Sequence, residues 1–139
     1  MTYSDSEDEE LNDELRRYNE YVAESDGFDV PDFVPKGSFI GGIIRRLDLS
    51  HPHELENIII CAKFAIKHYN HLPENNEKKL KLVKVVKATG NYPNYYITLK
   101  ARDDSGFVSL YETAVFRMLH DNKRSVSLFR PKRKTISKS

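Results

Sequence analysis

The sequence predicts an α+β domain in which one long helix packs across a four- to five-stranded antiparallel β-sheet, preceded by an extra N-terminal arm or short helix. Three observations carry this. Apolar residues repeat at helical spacing between Pro52 and Asn70. From Lys79 onward the chain reads as consecutive runs rich in β-branched and aromatic residues, separated by short turn signals. The helical segment also stands as one block ahead of the strands instead of alternating with them, which favours a helix laid on one sheet face over a parallel βαβ arrangement.

The elements follow in order. Ser6 and Glu9 form a Ser-x-x-Glu capping box, and Leu11, Leu15, Tyr18 and Val22 continue at helical spacing, so a short amphipathic helix is expected over 7–24. Its apolar stripe is thin, and a helix of this kind is marginal alone. It must dock on its own domain or on a partner. Asp26-Gly27, Pro31 and Pro35 then mark an extended linker. "IGGIIRRL" is apolar and holds the pair Gly41-Gly42, which weakens a strand but lets the backbone approach another surface.

The long helix is expected from Pro52 to Asn70, with Ser50 as N-cap and Pro52 in the first turn, where a missing N–H costs little. Leu55, Ile58, Ile59, Ala62, Ala65, Ile66 and Tyr69 form its stripe, and Cys61 and Phe64 widen it. Ile60 falls outside, either exposed or covered by the arm. Pro73 ends the helix. "KLKLVKVVKA" has a partial period of two, and "YYITLKA", "VSLYETAVFRM" and "SVSLFR" are the further strands. Turns are expected at "TGNYPN", "DDSG" and "LHDNKR", which gives an antiparallel meander.

Composition bounds the function classes. The 139 residues suit one domain, with 39% hydrophobic and 31% charged residues. No apolar run is long enough to span a membrane. The acidic N-terminus has no apolar signal core, so the expected compartment is the cytoplasm. Cys61 is the lone cysteine and cannot form an internal disulfide, as suits a reducing compartment. The net charge of +1 hides a split: residues 1–36 carry 12 acids against three bases, a net −9, and residues 37–139 carry 19 bases against nine acids, a net +10. Either the arm lies on the body by self-attraction or is simply solvated, or the two segments are separate binding surfaces; the first is the simpler reading.

The stretch "CAKFAIKHYN" (Cys61 to Asn70) resembles the helix signature of the plant cystatins, inhibitors of papain-like cysteine proteases, at Ala62, Lys63, Phe64, Ala65, Ile66, Tyr69 and Asn70. Cys61 replaces an aliphatic residue and His68 an acidic one. Gly41-Gly42 upstream, "LVKVVKA", "YYITLKARD" and "YETAVF" resemble the glycine pair and strands of that family over about residues 40–130. The leader "YNEYVAESDGFDVP" is similar to that of a plant-specific cystatin-related group. The resemblance implies a cystatin-like fold and a wedge that enters a protease cleft through the glycine-pair strand and two hairpin loops. The first loop of the family carries Gln-x-Val-x-Gly and the second Pro-Trp. Here "TGNYPN" and "HDNKR" stand in those places, and the chain has no Trp. The contacts so implied are Gly41, Gly42, Asn91, Tyr92, Pro93, Asp121 and Asn122.

No catalytic set is visible. His51 and His53, and His68 and His71, form two histidine pairs but lack zinc-site spacing, so no metal or cofactor is expected. Cys61 on the core stripe reads as packing and not as a nucleophile. Arg130, Lys132, Arg133 and Lys134 belong to a basic tail, read either as a solvated terminus or as a nuclear-import or nonspecific phosphate-binding run.

The sequence thus predicts an acidic arm over 1–36, a cystatin-like domain over 37–130 and a basic flexible tail over 131–139. The expected function is a non-enzymatic binding protein: a protease inhibitor with altered loops, or a protein-interaction module that keeps the scaffold without inhibiting. The expected partner is a papain-like cysteine protease or another protein, with no membrane and no specific nucleic acid, and the expected state is a monomer or a domain-swapped dimer.

Overall fold

The computed structural model describes residues 5–31, 33, 43–76, 78–91, 93–118 and 123–132, with the backbone alone for 5–12. The first helix, α1 (Asp5–Glu24), is followed by a two-residue strand β1 (Arg45–Arg46), a long helix α2 (Pro52–His71) and a short 3-10 turn (Pro73–Asn75). Four strands complete the fold: β2 (Lys81–Asn91), β3 (Asn94–Arg102), β4 (Val108–Arg117) and β5 (Arg124–Pro131). Among the described residues the sheet is five-stranded and antiparallel throughout, in the order β1-β2-β3-β4-β5. With α2 packed across one face, this is the α+β, cystatin-like arrangement expected from the sequence.

α2 forms where its periodicity places it, but His51 and not Ser50 is its N-cap: the His51 ring accepts from Glu54 N, and Pro52 takes the first helical position. Ser50 instead donates to Asp48, whose carboxyl those bonds hold below its usual range. Ile58, Cys61, Ala62, Ala65 and Ile66 are buried against Val85, Ala88, Tyr95, Ile97, Leu99, Ala101 and Val115. Ala62 and Ala65 have no side-chain bulk to hold the helix away, and both are wholly enclosed. At the far end Tyr69, Tyr111 and Phe129 cluster, with the Tyr69 and Phe129 rings 4.7 Å apart. Asn70 fixes the return to the sheet: its Nδ2 donates to Leu80 O (2.9 Å) and its Oδ1 accepts from Leu80 N (2.8 Å).

Alternation in β3 puts Tyr95, Ile97, Leu99 and Ala101 on the helix face and Tyr96 and Thr98 on the other. That outer face is covered too, by the residues after α1. α1 ends at Glu24; Asp26 and Gly27 both take positive φ (56° and 93°). Gly27 is required twice, because a Cβ there would also sit 3.1 Å from the Tyr96 ring. Ser25 Oγ accepts from Asp29 N (2.8 Å) and closes the turn. The chain then crosses the sheet as a strap. Asp26 pairs with Arg130 (2.8 Å), Thr89 donates to Gly27 O, and Phe28 meets Tyr96 edge-on (5.6 Å between centroids). Asp29 pairs with Lys87, and Val30 is buried.

Besides the Ser50 cap, three expectations are corrected. Ser6 lies inside α1, which starts at Asp5, so the Ser6–Glu9 box does not mark the helix start. Most of "TGNYPN" is strand, because the β2–β3 ladder continues through Gly90↔Tyr95 and Asn91↔Asn94. Arg130 belongs to β5 and not to a tail: it pairs opposite Glu112, and Lys132 N still donates to Leu110 O (2.9 Å).

Candidate functional site

The β2–β3 hairpin and the described residues that flank the other implied contacts lie at one end of the sheet. The hairpin between β2 and β3 is tight. Asn91 pairs with Asn94, and Gly90 is so crowded that a Cβ would fall 2.6 Å from Asn94 O. Arg117 N donates to Pro93 O (3.0 Å), so the last residue of β4 is bonded to the hairpin tip. Met118 N donates to Lys123 O (2.7 Å) at the start of the β4–β5 connection. Ile43 lies buried just before β1, which pairs with Thr89 and Gly90. Phe116 and Met118 are exposed beside the hairpin. Of the expected contacts, Asn91 and Pro93 are therefore at this end; Gly41, Gly42, Tyr92, Asp121 and Asn122 lie outside the described residues. Arg130 and Lys132 are at the opposite end of β5, and Arg133 and Lys134 lie outside the described residues.

Behind the hairpin, on the helix face, Cys61 sits near Tyr95, Arg117 and Arg124. Burial pushes the Cys61 thiol up, opposed by a hydrogen bond from Arg124 and by the positive charges of Arg124 and Arg117. Burial likewise raises Tyr95. A thiol with no exposure and a raised pKa is a poor nucleophile. His51 serves as a helix cap, and His71 Nδ1 lies 2.7 Å from Lys67 O. Among the described residues no group of three His, Cys, Asp or Glu side chains could hold a metal ion, and no helix is long and apolar enough to cross a membrane.

A second surface was not anticipated from the sequence. β1 covers only the Thr89–Gly90 end of β2, and Leu47 N extends this to Ala88 O. The rest of β2 is an edge among the described strands. Two register shifts, between Leu82 and Lys84 and between Val85 and Lys87, push Val83 and Val86 out of the ladder. With Leu49, Leu55, Ile59 and Leu82 they line an apolar groove of about 500 Å³ between α2 and β2. A shallower one of about 320 Å³ continues from Leu82 along Lys63, Ile66, Lys67 and Lys81. The sequence did hold a trace of this, since the "LVKVVK" run departs from strict alternation where the bulges fall.

Compared with known proteins, the chain matches no family model, no curated protein and no solved structure.

Proposed function

We propose that this protein is a non-enzymatic binding module that uses a cystatin-like scaffold to hold another polypeptide, without plugging a papain-like protease cleft. The observation that carries this reading is the bond from Arg117 N to Pro93 O. It ties the β2–β3 hairpin to the end of β4, so the neighbouring strand reaches as far along the sheet as the hairpin tip. A wedge needs tips that stand clear of the body and fill a cleft with apolar surface. The absence of Trp and of Gln-x-Val-x-Gly from the sequence points the same way. Titration of papain with the full chain checks the reading. Papain activity should be unchanged at micromolar protein, and stoichiometric inhibition would overturn the reading.

Inhibition stands as the second reading on one observation: Ile43, Asn91, Pro93 and the exposed Met118 meet at one end of the sheet. The same titration separates the two. The compartment that goes with either reading is the cytoplasm, with nuclear entry through Lys132, Arg133 and Lys134 as the alternative; imaging a large tagged fusion distinguishes them.

A further inference from the structure

The groove beside α2 and the first helix of the chain carry opposite charge. α1 has nine acids against two arginines over its 20 residues. Its described attachment to its own body is through the C-terminal half, where Tyr18 is buried and donates to Ile44 O, and where Val22 is half-buried. Ahead of that anchor Asp13, Arg16 and Arg17 are exposed, and Leu15 is 40% exposed although it continues the apolar stripe. The groove is apolar at its floor, with Val83 and Val86 exposed at 48% and 39%, and it is rimmed by the exposed lysines Lys63, Lys67, Lys81 and Lys84. No described residue of α1 lines the groove in its own chain.

The geometry favours a helical occupant over a strand. Lysines and bulges along a sheet edge are the devices that prevent a strand from adding to it, and the open part of β2 has both. A helix lying between α2 and β2 needs no edge hydrogen bonds, only an apolar stripe for the floor and acids for the rim. The length also fits. From Leu55 to His71, α2 runs about 24 Å at 1.5 Å per residue, and the acid-rich half of α1 ahead of Tyr18 runs about 20 Å.

We propose that the part of α1 ahead of Tyr18 from one copy, led by Leu15, lies in the groove between α2 and β2 of a second copy, and that two copies exchange these helices reciprocally. Such an exchange is isologous and closes at two. The inference rests on the reading of the protein as a polypeptide-binding module and gives that module its partner.

Sedimentation velocity on the full chain, from micromolar to submillimolar concentration, tests it. The unmodified chain should pass from a monomer of about 16 kDa to a dimer, and added salt should weaken the dimer. Leu15→Lys in the helix, or Lys81→Glu with Lys84→Glu at the rim, should each raise the dimer Kd by about tenfold or more. All these positions are exposed, and circular dichroism should show each variant folded. Asp13→Lys with Glu14→Lys should also stay monomeric alone, yet form a heterodimer when mixed with the Lys81→Glu, Lys84→Glu chain, because both helix–groove pairs are then complementary. A chain that remains monomeric throughout, or a dimer unmoved by the rim and helix variants, overturns the proposal. A monomer that leaves papain untouched removes this exchange and keeps the binding-module reading. A charge-swappable dimer that blocks papain does the reverse.

Discussion

Arg130 holds three groups at once. Its Nε donates to Glu112 (3.0 Å), its guanidinium pairs with Asp26 of the strap (2.8 Å), and its cationic carbon lies 5.4 Å from the centre of the Phe28 ring. Its hydrogen bond to Asp26, followed by that to Glu112, raises its pKa, which leaves it charged at every ordinary pH. Glu112 is only 7% exposed, and Arg130 is the cation that pairs with it among the described residues. Arg130→Met keeps the stem and removes the charge. It should cost about 2–3 kcal/mol in urea unfolding, less than a fully buried pair because Arg130 keeps some solvent exposure. Adding Glu112→Gln should recover part of that loss, since no buried charge is then left unpaired. If Arg130→Met alone costs under about 0.5 kcal/mol, as is usual for a surface residue, the triad is not holding the strap. Nothing in "SLFRPKRK" distinguishes Arg130 from the basic run that follows, because a charge's partners across a sheet are set by register and not by neighbours in sequence. Asn70 is the opposite case. Its place at the end of the helix pattern was visible, and it binds both backbone groups of Leu80.

At the level of elements, the strap is what the sequence concealed. α2 and the four long strands were legible because each repeats a pattern with a fixed period over at least two turns or several residues. Residues 25–31 repeat nothing; Asp26, Gly27 and Pro31 signal a turn or linker in any context. Their burial comes from the outer sheet face, where the pairs Lys87↔Thr98, Thr98↔Glu112 and Glu112↔Arg130 form one cross-strand row beneath the strap. Asp29 and Asp26 meet the two cations at the ends of that row. Phe28, 1% exposed, is the apolar part of the same contact. Phe28→Ala should cost about 3–4 kcal/mol, in the range for burying a ring and losing it to a cavity. Hydrogen exchange should then rise across 25–31 before it rises in β3. An arm merely resting on the body by charge would lose less than about 1 kcal/mol and keep its exchange pattern. The bulges of β2 were concealed for a related reason. Departure from alternation was visible, but which residue would leave the ladder depends on the partner strand.

For the whole molecule, the division of charge was readable as a sum, and the fold resolves it in two ways. The strap acids are spent on the sheet, through Asp26 and Asp29, while Asp13, Glu20 and Glu24 of α1 and the lysines beside α2 are left facing solvent on separate surfaces. What the molecule binds was not readable, because a docking surface needs α2, the β2 edge and α1 to be placed together, and no local pattern encodes that placement. The dependence of stability on pH follows from the same burial. Desolvation raises Cys61, Tyr18, Tyr95 and Tyr111 above their ordinary values. For an acid whose folded pKa is raised, the unfolded chain loses its proton first, so the contribution is complete below the unfolded pKa and is lost as pH rises toward the folded one. Stability should therefore decline from about pH 8.5, where an unfolded thiol ionises, and decline further above about pH 10 as unfolded tyrosines follow. Asp48 and Asp103 are held low by hydrogen bonds from Ser50 and Ser105, so the opposite sign applies to them and their share is lost as pH falls below about 4. Urea midpoints measured across pH should thus form a plateau from mildly acidic to mildly alkaline conditions. Cys61→Ala lowers the plateau through lost packing, but it should flatten the first alkaline step between about pH 8.5 and 10 and leave the tyrosine step in place. An unchanged first step in that variant would mean that the thiol is not the group whose ionisation the fold resists.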